Sequence, residues 1–441
     1  MVINFSLNDS IILNNIFVGK NIAIIITLIF FSILFYVAFF HHTVWHEQDS
    51  IFYLLHGKEI FDGNSQNLQL VGAPIGTPII YATLDDHFGN AFEIIKGISL
   101  ISGTSIVILS YFIVKNIFGV KIALISQILV AINPKLQLLS ISTLNELLPI
   151  SLIIASFYFL TKNELKNSHF IIMGILLGLS FMMRYQSVFI ILGILLFLLI
   201  QNRNFSQNAI HGGILVLMFV VVASPVLIFN YMEYGQLVEN DASFYFLSLF
   251  EFQNLEWRES LQNMKGDGTI SLIFTDPNLF TQNYFFNLFN HNPDKLFNFG
   301  SLGNLSIIPL IPILGFITVA LGFLHTAQLS KDYRLWISFI ASGIIGLLIF
   351  FIGDIAHHYF ALILIPLIIF GIFSLKKIKS NLLPLFVVSI VFYFSLSILP
   401  VYREYHLLPL LITFSILNSI FIVQIFSKLF SKQRFLENEK S

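Results

Sequence analysis

Apolar residues fall in long unbroken runs along the whole chain, separated by short polar segments. Crossing a bilayer takes about 20 consecutive apolar residues in a helix. On that measure the pattern predicts about twelve spans, at 21–40, 93–114, 118–133, 146–161, 169–183, 186–200, 211–230, 307–325, 335–353, 359–375, 383–400 and 407–427. The expected fold class is therefore an all-α polytopic membrane protein. Two polar stretches, 41–92 and 231–306, are too long for plain connections, because structureless loops beyond about 12–15 residues are uncommon unless functional. In the first, the pattern predicts a surface helix from Asp49 to Phe61. Asp49, Tyr53, His56 and Ile60 would share one face of it, and Ile51, Leu54, Leu55 and Lys58 another. Asp62-Gly63-Asn64-Ser65 is a turn signal that would end it. The second stretch carries aromatic runs and turn signals that predict short helices lying on the membrane. The chain then divides into an N-terminal transmembrane module with the first loop (1–230), the second loop (231–306), and C-terminal helices with a tail (307–441).

Composition supports this reading. Hydrophobic residues make up 56% of the 441 and charged residues 11%, whereas a soluble domain is roughly a quarter charged. The first span is too long, and lacks a small-residue cleavage site, to read as a removable signal peptide. There is no cysteine, which excludes disulfides and thiolate chemistry. A net charge of −1 argues against a nucleic-acid partner. Most of the 23 Lys and Arg, including Lys20, Lys115, Lys121, Lys162, Lys166, Lys376 and Lys377, fall on short loops and tails on the side of the N-terminus. The positive-inside rule then places both termini in the cytoplasm and both long loops outside, with a plasma membrane expected.

The 24 carboxylates are scarce enough to single out individually. Glu47 and Asp49 stand just beyond the first span. An ionisable group at membrane depth costs roughly 2.5–3.5 kcal/mol on insertion scales, which makes it a functional candidate by default. For Asp49 the simpler alternative is a helix cap. Glu146 opens a later span, where the helix dipole alone would favour an acid. Arg184 lies between two apolar halves. It fits a bidentate phosphate partner or an internal partner for an acid, against mere snorkelling to the interface. Lys96, Arg403 and His357 are weaker candidates of the same kind. Asp85-Asp86-His87 has the look of a divalent-metal motif but reads better as a solvated loop turn, and no metal is expected. His42, His46, His357 and His358 are too few for a histidine-box di-iron site. No internal repeat is visible, which weakens an inverted-repeat transporter.

Several motifs fall in a telling order. Asp49-Ser50-Ile51-Phe52-Tyr53 follows the first span, then Pro74 and Pro78, Phe88-Gly89, Phe118-Gly119 and Asn133-Pro134. Next come Thr143-Leu144-Asn145-Glu146, Gly174 to Gly178, Met183-Arg184-Tyr185 and, late in the chain, His358-Tyr359 before a span carrying Pro366. Over residues 20–235, and loosely over 335–375, this resembles the GT-C class of membrane glycosyltransferases, in the branch of protein O-mannosyltransferases and aminoarabinose transferases. The resemblance implies a hexosyl- or pentosyltransferase that takes sugar from a polyprenyl (dolichyl-type) phosphate. The acceptor would be a protein, lipid or glycan on the extracytoplasmic face, typically reached with inversion and without a cofactor. It implies Asp49 as general base and Glu146 as organiser of the site. Glu47, Tyr53, His56, Arg184, His358 and Tyr359 would contact substrate. The chain departs from the family in separating its two acids by Gln48, in spacing its prolines apart, and in carrying His358-Tyr359 where many members have Arg-Tyr. A lipid-linked-sugar flippase or transporter, and a polysaccharide polymerase or ligase, are the competing readings. A transporter would place polar groups in mid-span, whereas here the acids gather at one surface.

Overall fold

The computed structural model describes residues 7–41, 48–63, 74–201, 205–234, 237, 277–288, 382–398, 404–420 and 422–423. Regular structure among them is entirely helical. In chain order, α1 spans Leu7–Phe40, α2 Gln48–Phe61, α3 Gly76–Phe88, α4 Ala91–Phe118, α5 Val120–Ala131 and α6 Pro134–Ser140. Then come α7 Leu147–Leu160, α8 Asn167–Met183, α9 Ser187–Ile200, α10 Phe205–Tyr234, α11 Pro277–Phe286 and α12 Leu383–Leu396. A last apolar helical stretch is His406–Ile420. Val18–Phe40, Ala91–Phe118 and Phe205–Met232 are long and apolar enough to cross a bilayer, and α5 with α6 would make a fourth span, bent by 61°. The chain is thus an integral membrane protein. The spans expected at 307–325, 335–353 and 359–375, most of the second long loop, and Glu47, His358 and Tyr359 lie outside the described residues.

Local chemistry sets the element ends. The Asn90 side chain caps α4 by accepting from the Glu93 amide at 3.3 Å, and Glu93 and Lys115 sit at the helix ends whose dipole favours their charges. The span expected at 118–133 is present as α5, which ends ahead of Pro134, a residue with no amide hydrogen to continue it. Asn133 turns extended and caps a new helix, accepting from the Leu136 amide at 3.0 Å with Pro134 in the first turn. α6 was not foreseen from the sequence, and neither was α3. Pro78 stands in the first turn of α3, where its missing N–H costs nothing, so the prolines permit a helix here. Asp85-Asp86-His87 accordingly forms the last turn of α3 rather than a loop turn. The surface helix expected from Asp49 is present as α2.

In lipid the helices gain little from hydrophobic burial against one another, so close packing and buried hydrogen bonds must hold them together. α8 runs between α7 and α10. A Cβ added at Gly174 would lie 2.7 Å from the Leu215 carbonyl oxygen, and one at Gly178 would lie 2.8 Å from Val222 Cβ. These two glycines, four residues apart, therefore bring the α8 and α10 backbones together. Gln127 of α5 donates to the Ala23 carbonyl (2.9 Å) and to Thr27 (3.0 Å) of α1, and Ser126 pairs with Ser415 at 2.7 Å. α1 and α10 are the most peripheral of the long helices, with 28% of each apolar span buried.

Candidate active site

One end of the bundle carries a cluster of buried polar residues. Here α2 packs on α3, and α3 packs on the start of α4 and the end of α8. Ser99 of α4 donates to the Leu144 carbonyl at 3.0 Å, and Thr77 of α3 donates to the Met183 carbonyl at 3.2 Å. Asn230, near the end of α10, donates to the Tyr185 hydroxyl at 3.0 Å. The start of α3, the segment before α7, the junction after α8 and the end of α10 thus lie on one side of the bundle.

The faces of α2 divide as the helical period predicts. Tyr53 and His56 are buried, Asp49 and Ile60 half-buried, and Ile51 and Leu55 of the other face exposed. Gly57 makes the contact with α3 possible, since a Cβ there would collide with the Pro78 carbonyl. Burial depresses the His56 pKa below its usual 6.5, because the charged imidazolium is poorly solvated there. On the rim, Lys58 and Asp85 form an ion pair at 2.5 Å that fastens α2 to α3, raising the lysine and lowering the carboxyl.

Inside this rim lies a buried network. Arg184, at the end of α8, stands in extended backbone (φ −153°, ψ 122°) that turns its side chain away from the helix. Its Nη2 donates to Glu146 Oε1 and, at 2.9 Å, to the Tyr53 hydroxyl. Glu146 is wholly buried at the cap position of α7, yet its side chain makes no capping hydrogen bond. It serves the ion pair instead. The guanidinium carbon lies 5.8 Å from the Tyr53 ring centroid, within cation–π range. Tyr53 also packs on Tyr81, with centroids 5.7 Å apart. The Tyr81 hydroxyl donates to the Thr143 carbonyl, and burial raises its pKa well above that of a free phenol. Ser50, next to Asp49, shares a hydrogen bond with Thr143 at 3.1 Å. Two anchors, Ser50 to Thr143 and Tyr53 to Arg184, therefore fix the turn of α2 that carries Asp49, which stands one residue inside the helix start.

The structure brings together Asp49, Tyr53, His56, Glu146 and Arg184 in this one region. Lys96 is engaged elsewhere: it bonds to both carboxylate oxygens of Glu93 at 3.0 Å and to the Ala38 carbonyl at 3.3 Å, tying α4 to α1. Among the described residues no three His, Asp or Glu side chains converge as a metal centre would require. Sequence reasoning gave no role to Ser50 or Thr143, although it noted their motifs, and did not single out Tyr81. The available signal was the polar run from Ser140 to Glu146 in an apolar setting.

Comparison with known proteins adds one match. Residues 74–229, about a third of the chain, match the family model of dolichyl-phosphate-mannose-protein mannosyltransferases. The matched stretch contains Glu146 and Arg184 and begins after Asp49. It is consistent with the GT-C resemblance drawn from the motifs. No curated protein and no solved structure matches the chain.

Proposed function

We propose that the protein is a membrane glycosyltransferase that moves a hexose, mannose first among candidates, from a polyprenyl phosphate of the dolichyl type to an acceptor hydroxyl. Residues 1–230 form the catalytic module, the site faces away from the cytoplasm, and a protein is the acceptor that the family match favours. The carrying observation is the placement of Asp49. It is half-buried on a helix pinned to the Glu146–Arg184 pair, at the end of the bundle where the first long loop meets the spans.

The chemistry follows from that placement. Asp49 takes the proton of the acceptor hydroxyl while the acceptor oxygen attacks the anomeric carbon. The bond from that carbon to the phosphate oxygen breaks, and polyprenyl phosphate departs with the electron pair. Attack opposite the leaving group inverts the anomeric centre. The phosphate ester already activates the sugar, so the step as written needs no cofactor. General-base assistance of this kind contributes about 10²–10⁴-fold. Arg184 and Tyr53 are positioning residues that hold the base.

The test is transfer by purified protein in lipid nanodiscs, offered a panel of polyprenyl-phosphate sugars and a Ser/Thr peptide. Asp49→Asn should keep its fold and lose at least 10²-fold in turnover. Near-normal turnover in that variant would reject Asp49 as the base, and no transfer from any donor by the native protein would reject the activity.

A further inference from the structure

We infer that the segments 143–147 and 183–187 together form a hydroxyl-binding subsite that receives the sugar ring of the donor and excludes its phosphate; this rests on the donor class proposed above. Asn145, Glu146, Gln186 and Ser187 are each more than nine-tenths buried. Even so, Asn145 Oδ1, Glu146 Oε2, Ser187 Oγ and both amide atoms of Gln186 have no hydrogen-bond partner. The two segments lie side by side: Asn145 Nδ2 approaches Met183 Sδ at 3.7 Å, Glu146 pairs with Arg184, and Gln186 and Ser187 follow at the start of α9. Buried polar groups in native proteins are nearly always satisfied. These five atoms, with the buried Arg184 Nε beside them as a further donor, call for an occupant that offers both donors and acceptors.

The chemistry of these atoms selects the occupant. Asn145 Oδ1, Gln186 Oε1 and Glu146 Oε2 only accept, the Gln186 amide donates, and the Ser187 hydroxyl does both. The donor's phosphate is a diester with a single negative charge; it brings acceptors alone and would face two carbonyl oxygens and a carboxylate oxygen. Ring hydroxyls donate as well as accept and match the set. Gln186, at the cap of α9, and Ser187, its first residue, also distinguish this subsite from the base: they have no part in the proton transfer assigned to Asp49.

The experiment compares Gln186→Leu and Ser187→Ala with the native protein. Ser187→Ala removes only a hydroxyl and so preserves the packing. Two quantities are read: KM for the polyprenyl-phosphate hexose, and inhibition by sugar-free polyprenyl phosphate. Each variant should raise KM about 3–10-fold, the worth of one neutral hydrogen bond, and leave the inhibition constant within about twofold. Parallel loss in both quantities would assign these residues to phosphate, and no change in either would mean that the segments hold only water; each result overturns the subsite. Saturation-transfer NMR with methyl hexosides supplies an arm without turnover. Hexoside binding that depends on Gln186, with no transfer from any donor, would sink the enzymatic reading and spare the subsite. Transfer with native KM in both variants would do the reverse.

Discussion

Replacing Arg184 by Met separates the structural and catalytic parts of the buried network. Glu146 is fully buried and the Arg184 side chain is 13% exposed, so the pair sits almost entirely out of water. Removing the guanidinium strands a carboxylate with no counter-charge, and such a loss costs about 3–5 kcal/mol. Total stability of a domain is about 5–15 kcal/mol, so Arg184→Met should be severely destabilised. Pairing it with Glu146→Leu removes the stranded charge. Apolar replacement of a buried ion pair is about neutral to stabilising, so the double variant should return to within about 1 kcal/mol of the native protein. Activity should not return with it. The Tyr53 hydroxyl would lack its guanidinium donor, and the turn of α2 that carries Asp49 would lose one of two anchors. Denaturant unfolding in micelles, hydrogen exchange across α2 and the transfer assay read these three effects. The reasoning fails if Arg184→Met is as stable as the native protein, or if the double variant is no more stable than the single. Full turnover in a double variant whose α2 exchanges freely would also refute it.

Two further perturbations follow from the same geometry. Burial lowers the His56 pKa in the folded state, so the unfolded chain takes up its proton first as pH falls. The stability held above pH 6.5 should decline below that value until the folded form is itself protonated, and His56→Asn should flatten this acid limb in melting curves recorded from pH 7.5 to 5. Gly178→Val should cost about 1–3 kcal/mol by overpacking α8 against Val222, with Gly178→Ala intermediate, as read from thermal unfolding of the solubilised protein.

Much of the helix plan was legible because hydrophobic runs of bilayer length leave few alternatives. The expected 146–161 and 186–200 became α7 and α9 almost residue for residue, and the helical period sorted the faces of α2 correctly. Proline stands at the start of the two helices that the hydrophobic pattern did not reveal. Its missing N–H harms a helix interior but not a first turn, so Pro78 and Pro134 fit the first turns of α3 and α6. The charged members of the site stood out because charge is rare in this chain. Ser50, Tyr81 and Thr143 did not, since their roles arise from contacts 62 and 93 residues apart that no local pattern encodes.

Charge pairing also bears on what can hold the donor's phosphate. Arg184 is matched by Glu146, Lys96 by Glu93 at 3.0 Å and Lys58 by Asp85 at 2.5 Å. Each pair is formally neutral and adds little of the net positive field that a departing phosphate requires. Of the two roles open to Arg184 from sequence, acid pairing is the one formed. Turning the guanidinium to a phosphate would leave Glu146 charged and buried at a cost of several kcal/mol. Arg184→Lys tests the assignment, because an ammonium keeps the charge but lacks the planar fork that bridges Glu146 and Tyr53. Turnover should fall at least tenfold, while inhibition by sugar-free polyprenyl phosphate stays within about twofold. Matching losses in both would give the phosphate back to Arg184 and remove the reason for treating it as the support of Asp49.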